Sequence, residues 1–124
     1  MRSLRGSYNQ HVKELFPRGH DRLVSYVIRP AGSDASTVQS QLRELAEAHG
    51  RHVAYDRTDL ATGDLAYREG FQDVAGLVYK GWADGLLVPD QATLTLNFEV
   101  YEQVVRWFGE RNAYLFLLNP EGAE

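Results

Sequence analysis

The sequence predicts a three-layer α/β domain: a mostly parallel sheet covered by helices on both faces. Three observations predict it. Short runs rich in Val, Ile and Leu alternate with longer stretches whose apolar residues recur every three or four positions. Gly, Pro, Asn or Asp punctuates the junctions between them. The first of these runs, residues 22–28, is rich in Val, Ile and Leu, as a strand of a parallel sheet buried on both faces is. Strands that alternate with helices connect by right-handed crossovers, and ligands then meet the carboxyl ends of the strands where the strand order reverses.

Residues 1–21 are expected to form an N-terminal extension with a frayed start and a short helix. Tyr8, Val12, Leu15 and Phe16 fall at helical spacing until Pro17 and Gly19 stop the run. The α/β domain proper spans 22–124. Its first strand covers 22–28, bounded by turn residues on its carboxyl side. Asp34 or Ser36 is expected to cap a helix with a stripe of Val38, Leu42, Leu45 and Ala46, ended by Gly50. Residues 51–56 form a weaker second strand, and 59–64, with Thr62-Gly63, a loop. Phe71, Val74, Ala75, Val78 and Trp82 carry the next helix, with Gly81 and Gly85 framing its exit. The third strand, Leu86-Leu87-Val88, stops at Pro89. Phe98, Tyr101, Val104, Val105 and Phe108 line a helix over 97–111, and 113–118 is the last strand. If the strand order is 2-1-3-4, as expected, it reverses beside Arg29 and Pro89.

Composition narrows the function. The chain has no Cys, which excludes thiol catalysis, disulfides and Cys-based zinc sites and suits a reducing compartment, so the cytoplasm is expected. No run approaches the ~20 apolar residues of a membrane span, and the N-terminus lacks the apolar core of a signal peptide. His11, His20, His49 and His52 lack the paired spacing of a metal site, so no metal is expected. Arg-Pro-Ala-Gly-Ser-Asp at 29–34 has one Gly, too few for a dinucleotide or phosphate loop, and no cofactor is indicated. The net charge of −4 is uneven: residues 1–30 carry +4, 31–83 carry −3 and 84–124 carry −5. With a pI near 5.5, DNA binding by this chain alone is expected to be weak or absent, because phosphate neutralisation supplies most of such affinity.

The stretch 23–42 concentrates the candidate chemistry. A strand that ends in Arg29 and runs through small residues into a helix start gathers backbone N–H groups and a cation around one point. Gly32, Ser33, Asp34 and Ser36, with Arg29 and Arg68, are therefore the candidate anion-binding set. The structural alternative is that the two arginines pair with Asp34, Asp56 or Asp64, and that the serines cap the helix or close a turn.

From this stretch onward the chain resembles the catalytic domain of serine recombinases, the resolvase and invertase family. In that family the first strand ends in Tyr, one residue, Arg, one residue and the nucleophilic Ser. Here the run is Tyr26-Val27-Ile28-Arg29-Pro30-Ala31, offset by one residue at the Tyr. Gln41-Leu42 with Leu45 looks like the family's Gln-Leu-x-x-Leu, and Asp56 follows the second strand. Thr62-Gly63 stands where Ser-Gly is common. Arg68-Glu-Gly-Phe71 is similar to Arg-x-Gly-Phe, and Asp84-Gly-Leu-Leu-Val88 to Asp-x-Leu-Val-Val. The resemblance runs over about 23–118 and implies a resolvase N-terminal-domain-like fold.

The departures fall on the family's chemistry, in which a serine attacks a DNA phosphate while arginines offset the charge of the transition state. Ala31 holds the nucleophile position. The family's Asp-Arg-Leu-x-Arg is matched by Ala92-Thr93-Leu94-Thr95-Leu96, and only Arg29 and Arg68 match catalytic positions. The resemblance ends at about 118, so the family's long dimerisation helix and DNA-reading domain are expected to be absent. The expectation is a catalytically inactive domain that binds another protein or a second copy of itself, a homodimer. The alternatives are a minimal recombinase or phosphoryl-transfer enzyme using Ser33 or Ser36, and a small-anion sensor. Recombinase catalytic domains are built to pair. Val100 and Trp107 lie off the main stripe of the 97–111 helix and are the candidate interface, although Trp82, Tyr101 and Trp107 at helical spacing also read as core.

Overall fold

The computed structural model describes residues 3–29, 35–60 and 63–121. In chain order they form α1 (Leu4–Leu15), β1 (Arg22–Ile28), α2 (Ser36–Ala48), β2 (His52–Asp59), a 3-10 turn (Leu65–Tyr67), α3 (Glu69–Tyr79), β3 (Gly85–Val88), α4 (Gln91–Leu94), α5 (Phe98–Glu110) and β4 (Tyr114–Leu117). The four strands make one parallel sheet in the order β2-β1-β3-β4, as expected.

The period of two along each strand divides the core. Val24 and Tyr26 of β1, Leu86 and Val88 of β3, and Leu115 and Leu117 of β4 face a layer containing Val74 and Val78 of α3 and Tyr101, Val105 and Phe108 of α5. Leu23, Val27, Leu87, Tyr114 and Phe116 face the other way, against Leu42 and Ala46 of α2. Burying both faces explains the unbroken apolar runs.

α1 closes the β4 edge and belongs to both layers. Leu4 and Tyr8 pack against the first cluster, and Val12 lies in the second. Asn9 meets the main chain of the edge strand twice: its Nδ2 donates to the Leu115 carbonyl at 2.9 Å, and the Leu115 N–H donates to its Oδ1 at 3.0 Å. Arg5 Nη1 donates to the same carbonyl at 3.0 Å. A side chain that satisfies the outward groups of an edge strand also blocks their pairing with another chain.

Several boundaries differ from expectation. β2 runs to Asp59, three residues past Asp56, because Tyr26, Val27 and Ile28 of β1 continue to pair with Arg57, Thr58 and Asp59. β2 is half-exposed, so its polar residues carry no pattern to mark its end. Ser36 is the first residue of α2 rather than its cap; Ala35 holds the cap position without a side-chain bond. Asp34, the other expected cap, lies outside the described residues. Trp82 lies beyond α3 and is exposed, not core. The one-turn α4 is too short to show a period in the sequence; Asp90 Oδ1 caps it by accepting from the Thr93 N–H and hydroxyl, both at 2.9 Å. Phe98 opens α5 on its solvent side and is exposed, so the buried stripe starts at Tyr101.

Candidate functional site

The carboxyl ends of β1 and β2 are built around Asp59. Its Oδ2 accepts from the Tyr26 hydroxyl at 2.7 Å and the Phe71 N–H at 3.0 Å, while its Oδ1 accepts from the Gly70 N–H at 2.8 Å. A carboxylate here satisfies two free amides of the first turn of α3 and meets the positive end of the helix. Gly70 makes the approach possible, because a Cβ there would sit 2.5 Å from the Thr58 carbonyl oxygen and 2.8 Å from Asp59 Oδ2. The Tyr26 ring is fully buried and meets Phe71 edge-on. Burial, and then the hydrogen bond to Asp59, push the Tyr26 hydroxyl well above its ordinary pKa, so it stays a proton donor.

Arg68 precedes α3 and reaches across to the β3 side. Its Nη1 donates to the Thr93 carbonyl at 2.7 Å and its Nε to the Gly63 carbonyl at 3.4 Å. The Arg29 N–H donates to the Asp59 carbonyl at 2.8 Å, continuing the ladder past β1. Arg29 and Arg68 line one cavity of about 360 Å³ with Thr58, Asp59, Leu60, Tyr67 and Glu69. Beside it, at the point where the strand order reverses, a cleft of about 920 Å³ runs between the 63–68 segment and the 92–97 segment. The second wall carries no cation: Thr93 and Leu94 are buried, and Leu96 is 87% exposed.

The two predicted arginines thus share a cavity, in company with two acids. Ser36 stands on the first turn of α2, exposed. Ala31, Gly32, Ser33 and Asp34 lie outside the described residues. Asp56 is not at the site; it sits within β2, accepts from the Ser25 hydroxyl at 2.5 Å and pairs with Arg43. Asp59 takes the position at the strand end, and a second strand that stops at Asp56, as the sequence suggests, leaves it out. Its one available signal is Gly70, a glycine within a helix that no turn explains.

The other motif carriers are structural. Buried Asp84 accepts from the Arg22 N–H at 3.0 Å and lies 3.3 Å from His20 Nδ1, tying together the amino ends of β1 and β3. Gly85 admits β4, since a Cβ there would lie 2.6 Å from Tyr114 Cβ. Val100 and Trp107 are half-buried and line an apolar depression of about 320 Å³ with Leu65, Phe71 and Val104. Among the described residues no cluster of His, Asp and Glu could hold a metal ion, and no helix is long and apolar enough to cross a membrane.

A parallel 2-1-3-4 sheet covered on both faces, with two arginines at the carboxyl end of its first strands, defines an α/β domain with the fold of serine recombinase catalytic domains. The chain is similar to the catalytic domain of ISC1926 TnpA, an IS607-like serine recombinase, with TM-score 0.65 and 21% identity over 82% of this chain and 73% of that one. It is similar to the N-terminal catalytic domain of TP901-1 integrase, with TM-score 0.69 and 21% identity over 80% and 78%. A serine recombinase from Sulfolobus solfataricus aligns at TM-score 0.56 and 17% identity over 84% and 72%. No protein-family model matches the chain, and no curated protein sequence does.

Proposed function

We propose that this chain is a catalytically inactive serine-recombinase-like domain whose strand-end face docks another protein or a second copy of the chain. One observation carries this reading. The cavity that holds Arg29 and Arg68 is rimmed by apolar side chains turned to solvent: Leu60 is 50% exposed and Tyr67 80%, and Leu96 at 87% stands across the cleft. A catalytic phosphate site concentrates cations, whereas exposed apolar side chains gathered on one face mark an interaction surface. Arg68 donating to two main-chain carbonyls acts as a brace between the walls. The depression lined by Val100 and Trp107 extends the apolar surface along α5.

Two measurements test this. Incubated with supercoiled plasmid, the protein is expected to give neither nicks nor covalent protein-DNA adducts on a denaturing gel. An adduct lost in Ser33→Ala or Ser36→Ala would overturn inactivity. In sedimentation, the wild type is expected to self-associate, and Trp107→Glu or Leu96→Glu to shift it towards monomer with an unchanged circular dichroism spectrum. A wild type already monomeric at high micromolar concentration refutes the homodimer.

The sharing of one cavity by Arg29 and Arg68 favours a second reading, a small-anion sensor. Phosphate titration should then move the amide signals around residues 29, 59 and 68. Shifts confined to the basic segment 1–22 would refute it.

A further inference from the structure

The two faces of the sheet are unequally covered. α3 and α5 lie over one face. On the other, α2 lies mainly over β1 and β2, and the ground above β4 is closed by side chains. The His49 ring stacks on Phe116 at 4.4 Å, Phe116 stacks on Tyr114 at 5.0 Å, and the Arg51 guanidinium lies 4.3 Å above the Tyr114 ring. Between this stack, the last turn of α2 and α1 opens a cavity of about 570 Å³. Its lining shares no residue with the cavities at the ends of β1 and β3.

Its electrostatics set it apart in a chain of net charge −4. Among the described residues, Arg5, Lys13, His49 and Arg51 line it and no carboxylate does. Arg5 is paired with Glu121 at 2.9 Å. Among the described residues no ion pair holds Lys13 or Arg51. Arg51 donates Nη1 to the His49 carbonyl and Nη2 to the Tyr114 hydroxyl, both at 2.5 Å. Its Nε is buried without an acceptor among the described residues. That guanidinium keeps an unused N–H donor, and no carboxylate among the described residues pairs with its charge. His49 registers the same field: burial, and then the positive charge of Arg51, Lys13 and Arg5, hold its pKa below the ordinary value. Leu45, Ala48, Phe116, Leu118 and Pro120 supply apolar wall, and the volume lies in the range of small-molecule sites.

We propose that this cavity binds a small organic anion, a carboxylate or phosphate monoester carrying an apolar group. Lys13 and Arg51 face its charge, and the wall of Leu45, Phe116 and Leu118 takes its apolar part. Arg suits such anions because its planar fork gives charge-assisted, paired hydrogen bonds. The site is independent of whatever occupies the strand ends.

The test titrates phenyl phosphate, inorganic phosphate and benzyl alcohol separately into the full chain at low salt. Amide shifts and the pH titration of the His49 ring proton are followed. Phenyl phosphate is expected to move the signals of residues 48–51 and 117–119 and to bind more tightly than either other probe. It should also raise the His49 pKa, because a bound anion offsets the three neighbouring cations. Lys13→Glu, at an exposed position, should weaken phenyl phosphate by about tenfold through loss of a charge-assisted contact, with the circular dichroism spectrum unchanged. Signals of residues 48–51 and 117–119 that stay unmoved at millimolar phenyl phosphate, or equal affinity there for benzyl alcohol or inorganic phosphate, would each overturn the proposal. So would a Lys13→Glu protein that binds as the wild type does.

Discussion

The two walls of the strand-end cleft are held by different forces. On the β1–β2 side, Tyr26, Asp59, Gly70 and Phe71 are joined by three hydrogen bonds and one backbone approach that tolerates no Cβ. On the β3 side, the 92–97 segment is held by the apolar burial of Leu94, the caps of Asp90 and Asn97, and the Arg68 brace, while Leu96 and Phe98 face solvent. A site's frame and its chemistry are therefore separable. The first wall can keep its geometry only with its own residues, whereas the second leaves its outward positions open to substitution.

The largest expected effect breaks the first wall. Gly70→Ala should destabilise the domain by about 3 kcal/mol, as overpacking against main chain does, read as a lower midpoint in urea. Gly76, in the same helix, has nothing within 4 Å of the position a Cβ would take, so Gly76→Ala should instead stabilise by about 0.5–1 kcal/mol. Similar outcomes at 70 and 76 would show that the close approach to Asp59 is not what constrains this turn.

A smaller effect sharpens the electrostatics of that wall. Tyr26→Phe removes one of three donors to Asp59 and should cost about 1 kcal/mol at neutral pH. Because the folded pKa of Tyr26 lies above its unfolded value of 10.0, the folded state holds a proton that the unfolded chain releases. Its contribution is complete below pH 10.0 and is lost as pH rises towards the folded value. The wild type should therefore lose stability above pH 10.0 faster than Tyr26→Phe does. Tyr101, raised by burial and then by its hydrogen bond to Glu121, contributes the same trend in both proteins and cancels in the comparison. Parallel alkaline unfolding curves would remove the Tyr26–Asp59 bond from the account.

The smallest expected effect lies on the second wall. At protein concentrations low enough to keep the chain monomeric, Leu96→Ser, at an 87% exposed position, should change stability by no more than about 0.5 kcal/mol, as surface substitutions do. A larger loss under those conditions would break the comparison, whereas a loss that appears only as protein concentration rises, read from the urea midpoint, is what burial of Leu96 between two copies adds.

The strand-helix alternation and the parallel sheet are legible in the amino-acid order alone, because they rest on apolar periodicity and on chain-connection rules, which are local or nearly so. The 2-1-3-4 order and the grouping of Arg29 with Arg68 come instead from the resemblance to serine recombinases. Gly70 and Gly85 also stand out within motifs, without their cause. That cause is close approach, to Thr58 and Asp59 in one case and to Tyr114 in the other, and it exists only in the folded chain. The fold likewise carries β2 on to Asp59, because a half-exposed edge strand has no hydrophobic pattern of its own and is defined by its neighbour's ladder. Phe98 is exposed although it shares the helical period of the buried Tyr101, Val105 and Phe108, because it is the first residue of α5, and Trp82 is exposed because α3 ends at Tyr79 before reaching it. The basic cavity between α1, α2 and β4 draws on residues from 5 to 120. No local pattern reports it, since its charge comes from side chains brought together only when α1 closes the sheet edge.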